Sequence, residues 1–227
     1  MFSDQLASIR ERIDRAARRS GRDPASVRML AVTKTVPPER IREAAAAGLT
    51  AFGENRIQEA LGKMDLLQDL SLEWHFIGHL QKNKVKYLPG RFALVHSIDS
   101  LELAALVHKA CFKRDRPQAA LVQVNVSGEA SKFGLPPEAL IPMLKTAREL
   151  THIRLEGLMT IPPFAPDPEA VRPCFARLRE LRDQARSELK MDLPHLSMGM
   201  SHDFEVAVEE GATWVRIGTA LFGPRPE

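Results

Sequence analysis

The chain of 227 residues has few cysteines, few aromatic residues and no long apolar run. Its two cysteines, Cys111 and Cys174, form no Cys-x-x-Cys pair, which argues against a disulfide framework and a cysteine zinc site. No apolar run approaches the ~20 residues that cross a bilayer, and residues 1–19 alternate charged with apolar residues, unlike a secretory leader. We therefore expect a soluble protein of the cytoplasm, without a membrane partner and with reduced thiols.

Charge of one sign is not gathered into a long block. The chain has 32 Lys and Arg against 29 Asp and Glu, a formal net charge of +3. Short basic clusters occur within residues 18–22 and 82–86, but no nucleic-acid-binding module or interleaved aromatic pattern accompanies them. Nucleic acid is therefore not expected as a ligand, and both clusters are interpreted as solvated faces.

The sequence does contain a repeat of short apolar runs separated by segments with helical spacing. Before the repeat, apolar residues from Phe2 to Ile13 share one face of an opening helix, which the SGRDP segment at 20–24 breaks. Strands that alternate with helices predict a parallel sheet. The apolar runs lie at residues 27–33, 51–53, 72–78, 92–97, 120–126, 153–159, 194–198 and 213–217.

Eight strand–helix units in about 200 residues match a closed barrel, and no Pro/Gly/Ser-rich linker divides them. We predict an α/β protein with a single (β/α)8 TIM-type barrel over residues 25–227, preceded by a helix and turn over residues 1–24. An open, doubly wound sheet is the alternative, since it shows the same alternation. The proline-rich residues 160–172 are predicted to form a loop after the sixth strand.

Two segments far apart in the sequence carry groups suited to a phosphorylated aldehyde. Lys34 follows the first strand, at the end of a barrel that holds active sites, and a neutral lysine amine forms Schiff bases. After the eighth strand, Gly218 lets backbone amides approach an anion and Thr219 offers a hydroxyl. Barrel closure predicts that Lys34 lies beside Arg216 and this loop; a rim lysine in a salt bridge is the alternative for Lys34.

Other polar residues allow both a structural and a functional interpretation. Ser201 is suited to bind a phosphate or to cap a helix predicted from residue 202 to 210. Glu54 and Asn55 are predicted at the exposed end of the second strand, where Asn55 binds a ligand oxygen or begins a helix.

A pair of histidines in the third apolar run invites a metal interpretation. His75 and His79 are spaced i, i+4, which makes a ligand face on a helix, but this segment has a strand pattern. No metal is therefore expected. We expect His75 to be structural and His79 to line the mouth.

Six segments occur in a recognisable order: 31–34 (AVTK), 52–56 (FGENR), 74–84 (WHFIGHLQKNK), 157–159 (GLM), 197–201 (SMGMS) and 215–219 (VRIGT). Together they resemble the pyridoxal phosphate homeostasis protein family, the small relatives of the alanine racemase barrel. The resemblance implies that pyridoxal 5′-phosphate (PLP) is held as a Schiff base on Lys34. It also implies three sets of contacts: Ser201, Gly218 and Thr219 with the phosphate, Arg216 with the pyridine nitrogen, and Asn55, Met159 and Ser197 with the ring.

The resemblance implies a role in vitamin B6 and amino-acid homeostasis without an established turnover. A guanidinium at Arg216 disfavours a protonated pyridine nitrogen and so weakens the cofactor as an electron sink. The one tyrosine, Tyr87, is predicted in a helix after the third strand, so the tyrosine base of a two-base racemase is lacking. We expect a monomeric carrier whose partners are PLP-dependent apo-enzymes. The alternatives are a weak PLP-dependent racemase or lyase and a cofactor-free Schiff-base enzyme acting on sugar phosphates.

Overall fold

The computed structural model describes residues 2–129 and 132–224, and within them eight parallel strands close into a barrel. Each strand pairs with its neighbours in the sequence, and the last pairs with the first. This closure confirms the predicted TIM-type barrel and excludes the open sheet, which has two edges. The strands are β1 (Arg28–Val32), β2 (Ala51–Glu54), β3 (Glu73–Phe76), β4 (Leu94–Ile98), β5 (Gln118–Gln123), β6 (Ile153–Met159), β7 (His195–Met200) and β8 (Trp214–Ile217).

Helices cover the outside of the barrel. None of those in the described ranges is long and apolar enough to cross a lipid bilayer. The α-helices are α1 (Phe2–Arg19), α2 (Pro38–Ala46), α3 (Ile57–Leu66), α4 (Leu101–Phe112), α5 (Leu140–Ala147), α6 (Arg172–Leu189), α7 (Phe204–Glu209) and α8 (Thr219–Phe222).

Short 3-10 helices replace α-helix at several connections. After β3 the chain forms the 3-10 helix Lys82–Tyr87, which contains the single tyrosine. Leu88 still has a helical conformation, but Pro89 follows it and has no backbone N–H with which to continue the helix, so this segment stays short. The predicted loop after β6 is also present, with only the 3-10 helix Pro168–Val171 before α6 begins.

Two apolar layers hold the barrel together. The larger lies between the strands and the surrounding helices, because alternate residues of each strand point outward. The smaller fills the barrel interior and consists of Leu30, Ala51, Leu94, Ala119, Leu121, Met159 and Trp214, packed with Ile77.

The N-terminal helix is fixed to the barrel by its apolar face. Phe2, Leu6, Ile9 and Ile13 are buried, as the spacing predicts, and α1 packs against α7 and α8. The turn that follows is held by Arg22, whose guanidinium donates to the carbonyl oxygens of Val208 at 2.6 Å and Ala212 at 2.9 Å. The helix α1 and the turn after it therefore contact the last helices of the barrel, α7 and α8.

Truncation of this apolar face should destabilise the protein. Ile9 is 3% exposed, so Ile9→Ala should lower the free energy of unfolding by about 2–5 kcal/mol, the cost of a buried large-to-small change. The exposed Arg18→Ala on the same helix should change it by no more than ~0.5 kcal/mol. Urea denaturation measures both free energies of unfolding. A change in Ile9→Ala as small as that in Arg18→Ala would show that burial of this face contributes little to stability.

Candidate functional site

The pairing of β1 with β8 brings together groups that are far apart in the sequence. Leu30 lies opposite Arg216 and Ala31 opposite Ile217. Each strand then ends at the carboxyl rim of the barrel, where Lys34, Gly218 and Thr219 line one cavity of about 190 Å³. The predicted proximity of the amine and the β8 loop is therefore present.

The loop that carries Lys34 is held by a buried ion cluster under α3. The ammonium of Lys63 donates to the carbonyl oxygen of Thr33 at 2.6 Å, to Glu54 at 2.8 Å and to Glu59 at 2.6 Å. Glu59 also accepts a hydrogen bond from the backbone N–H of Thr35 at 2.7 Å. Both neighbours of Lys34 in the sequence are thus anchored to Lys63 or Glu59.

The backbone after Lys34 is strained. Thr35 has φ of 64°, a left-handed conformation that costs a non-glycine residue about 1–3 kcal/mol and persists only when the surroundings enforce it. The hydrogen bond from Thr35 to Glu59 is such a restraint. The loop is therefore restrained by hydrogen bonds on both sides of Lys34.

The prediction that Glu54 lies at an exposed strand end was wrong. Its side chain is fully buried rather than exposed at a strand end, because it points outward from the barrel and is covered by α3. Oε1 accepts from Thr33 Oγ1 and Lys63, and burial raises the pKa of this carboxyl while the hydrogen bond from Lys63 opposes the shift. Glu54 is part of the support for the Lys34 loop. The role of Lys63 was not predicted from the sequence, although its spacing from Glu59 is that of a helical i, i+4 ion pair.

Arg216 lies at the floor of the mouth and is 4% exposed. Its guanidinium donates to Ser197 Oγ at 2.8 Å and to the carbonyl oxygen of Thr160 at 2.9 Å. Burial lowers its pKa to about 10, so it is still a cation at neutral pH. Ser197 and Met159, both predicted to line the ring pocket, are fully buried beside this position.

Ser201 does not cap α7, which begins two residues later than predicted and has Asp203 at its N-cap. The Ser201 hydroxyl instead accepts hydrogen bonds from the backbone N–H groups of Gly218 and Ala220, each at 3.2 Å. Two amides of the β8 loop therefore converge on one oxygen. Such convergent donors are what an anion site needs.

Asn55 lies beside a second cavity at the same rim. This cavity, of about 580 Å³, is also lined by Arg56 and His79. A side chain at Gly78 would come within 2.2 Å of the Asn55 carbonyl oxygen, so only glycine permits this close approach of backbones. His79 lines the mouth as expected, paired with Asp99 at 3.5 Å.

Comparison with known proteins shows to which family the chain belongs. A family model described as the alanine racemase N-terminal domain matches residues 5–226. The pyridoxal phosphate homeostasis protein of Aquifex aeolicus is 54% identical over 222 residues, which cover 98% of this chain and 97% of the relative. The chain belongs to the pyridoxal phosphate homeostasis protein family. Another member, from Pseudomonas aeruginosa, is 49% identical over 224 residues, covering 99% and 96%.

Solved structures agree with this family. PipY of Synechococcus elongatus PCC7942, solved with PLP bound, superposes with a TM-score of 0.86 at 36% identity, covering 98% of this chain and all of that one. An alanine racemase of Clostridium difficile superposes with a TM-score of 0.74 at 16% identity, covering 99% of this chain and 58% of the racemase. The second likeness concerns the fold alone. The resemblance to the homeostasis family is confirmed.

Removal of the Lys63 ammonium should destabilise the protein and remove the hydrogen bond that holds the backbone before Lys34. Lys63→Met leaves Glu54 buried without its charged partner, a change that costs about 3–5 kcal/mol in comparable buried pairs. The exposed Lys113→Met should change stability by no more than ~0.5 kcal/mol. Denaturant titration of both variants measures the difference, and a Lys63→Met protein as stable as the control would refute the proposed support.

The loss should also depend on pH. Burial raises the pKa of Glu54, and Lys63→Met removes a group that opposes this shift. A carboxyl whose folded pKa is raised favours the folded state at low pH, and that contribution is lost as pH rises. The destabilisation should therefore be smaller near pH 5 than near pH 8; the opposite slope would show that Glu54 does not titrate as the buried partner.

Proposed function

We propose that this chain binds PLP as a Schiff base on Lys34 and acts in vitamin B6 and amino-acid homeostasis. The observation that carries the proposal is the shared cavity of Lys34, Gly218 and Thr219 at the carboxyl rim. The family membership and the PLP-bound PipY neighbour support the same cofactor.

The residues present fit the chemistry of the cofactor. The hydroxyls of Ser201 and Thr219 would donate to a phosphate near the amine, and the backbone amides of Gly218 and Ala220 hold Ser201 in place for this contact. Lys34 would hold the cofactor through its amine, which would form a Schiff base with the aldehyde with loss of water. Asn55, Met159 and Ser197 complete the proposed ring pocket.

Arg216 favours a carrier over an enzyme. When bound, PLP supplies an electron sink for carbanions, and its strength depends on protonation of the pyridine nitrogen. Arg216 is a donor that stays cationic, so a guanidinium facing that nitrogen disfavours its protonation. A weak amino-acid racemase or lyase is the second candidate, because Lys34 remains available as a base.

The wider proposals concern organisation and partners. We propose one domain over residues 1–227, supported by the packing of α1 on α7 and α8, and a monomer, for which the cavity lined by Lys34, Gly218 and Thr219 of the same chain is the support. A cytoplasmic location is proposed as well. PLP-dependent apo-enzymes are the proposed partners, and the exposed Phe133 and Phe164 on carboxyl-end loops give them apolar contact area.

Visible absorbance before and after borohydride tests the cofactor assignment. Purified protein, supplied with PLP if colourless, should be yellow, lose the colour on reduction, and yield one modified peptide that contains Lys34. Lys34→Ala should abolish the adduct, whereas the exposed-lysine control Lys86→Ala should retain it. If borohydride yields an adduct on Lys34 only after a sugar phosphate is added, the result would support a cofactor-free barrel enzyme instead.

A further inference from the structure

A continuous chain of hydrogen bonds crosses the interior of the barrel from its amino end to Arg216. Glu73 Oε1 lies 2.9 Å from His75 Nε2, and His75 Nδ1 lies 2.9 Å from His96 Nε2. His96 Nδ1 lies 2.8 Å from Ser197 Oγ, which accepts from Arg216 at 2.8 Å. The first member is 31% exposed and the two imidazoles are fully buried.

The two ends of this chain determine where every proton lies. Glu73 is ionised, since the hydrogen bond with His75 and the contact with Arg28 lower its pKa to about 2. A carboxylate only accepts hydrogen bonds and a guanidinium only donates them. His75 must therefore carry its proton on Nε2, and so must His96, whose Nδ1 then accepts from the hydroxyl of Ser197.

Both imidazoles are neutral in this arrangement. Burial lowers the pKa of His75, and burial together with the positive charge of Arg216 lowers the pKa of His96 well below its ordinary value. A neutral ring has one donor and one acceptor nitrogen, which is what the chain requires. All donors thus point from Arg216 toward Glu73.

A series of buried polar groups is energetically costly in these apolar surroundings. It runs through the interior cluster that includes Leu30, Leu94 and Trp214, where an unsatisfied polar group is expensive. Stability alone is served at least as well by apolar side chains. A polar path that is satisfied at each step is more typical of a positioning network.

We infer that Glu73, His75, His96 and Ser197 form a one-directional relay that fixes the position of the Arg216 guanidinium at the mouth. Ser197 is held as an acceptor for Arg216 because its own proton is committed to His96. The carbonyl oxygen of Thr160 fixes the second Arg216 nitrogen. These are positioning residues. The inference rests on the proposed function only in its last step, the contact of Arg216 with the pyridine nitrogen.

Nitrogen NMR of the histidine rings in cofactor-free protein tests the direction of the relay. At neutral pH, both His75 and His96 should be neutral and protonated on Nε2. Protonation of either ring on Nδ1, or on both nitrogens, would overturn the inference, because Glu73 and Arg216 would then not set the direction. A merely structural pair of histidines has no reason to share one tautomer.

A pair of serine variants tests the coupling to Arg216. Ser197→Ala removes the acceptor, whereas Ser97→Ala removes a buried hydroxyl that has no hydrogen-bond partner in the described part of the chain. Exchange of the Arg216 guanidinium protons should be about tenfold faster in Ser197→Ala, the factor expected for one lost hydrogen bond of ordinary net strength. Ser97→Ala should leave it unchanged. Equal exchange in the two variants would overturn the relay.

The loaded protein links the relay to the cofactor. With PLP bound, Ser197→Ala should shift the visible absorbance maximum and its pH dependence, and Ser97→Ala should not. An unshifted spectrum in Ser197→Ala would overturn the last step alone. If the wild-type protein takes up no PLP on Lys34 while the tautomers and exchange rates are as expected, the proposed function fails and the relay stands.

Discussion

The pairing of β8 with β1 is the constraint on which the rest of the site depends. Four residues of each strand lie in register, from Arg28 opposite Trp214 to Ala31 opposite Ile217. This register brings the loops after both strands to one rim, although most of the chain separates them in sequence. Without closure, Lys34 would have no neighbour among the groups that can hold a phosphate. α1 supports the seam from outside by packing against α8.

Two polar networks act on the two sides of this seam. Outside the barrel, Lys63 and its carboxylates hold the backbone on either side of Lys34. Inside, the relay ending at Ser197 holds Arg216. Buried charges of this kind contribute little net stability, because desolvation offsets the attraction. They do restrict a lysine and an arginine to one geometry, which a site that binds a flat, charged cofactor requires.

Much of the fold follows from local patterns in the sequence. Apolar runs mark the eight strands because every strand of a parallel barrel is buried on both faces. The face of α1 and the loop after β6 follow from helical spacing and from proline. The proximity of Lys34 to the segment from Arg216 to Thr219 could be predicted, because each follows a strand at the rim that holds active sites in such barrels.

The rest depends on contacts between distant segments. Burial of Glu54 requires α3 to place Lys63 over it, and the partner of Ser201 is a pair of amides from another strand. The relay combines residues from β3, β4 and β7 and ends at Arg216 of β8. Within the relay, only the i, i+2 spacing of Glu73 and His75 indicates a shared face. Such pairs are not encoded in any one stretch of sequence.

We propose that β1 and β8 together hold one ligand, its aldehyde end by Lys34 and its phosphate end by the β8 loop. A crystal structure of the protein soaked with PLP tests it most directly. We expect continuous density from Lys34 Nζ to the ring, with the phosphate beside Ser201, Gly218 and Thr219. Density for an unmodified Lys34, or a phosphate bound away from the β8 loop, would contradict it.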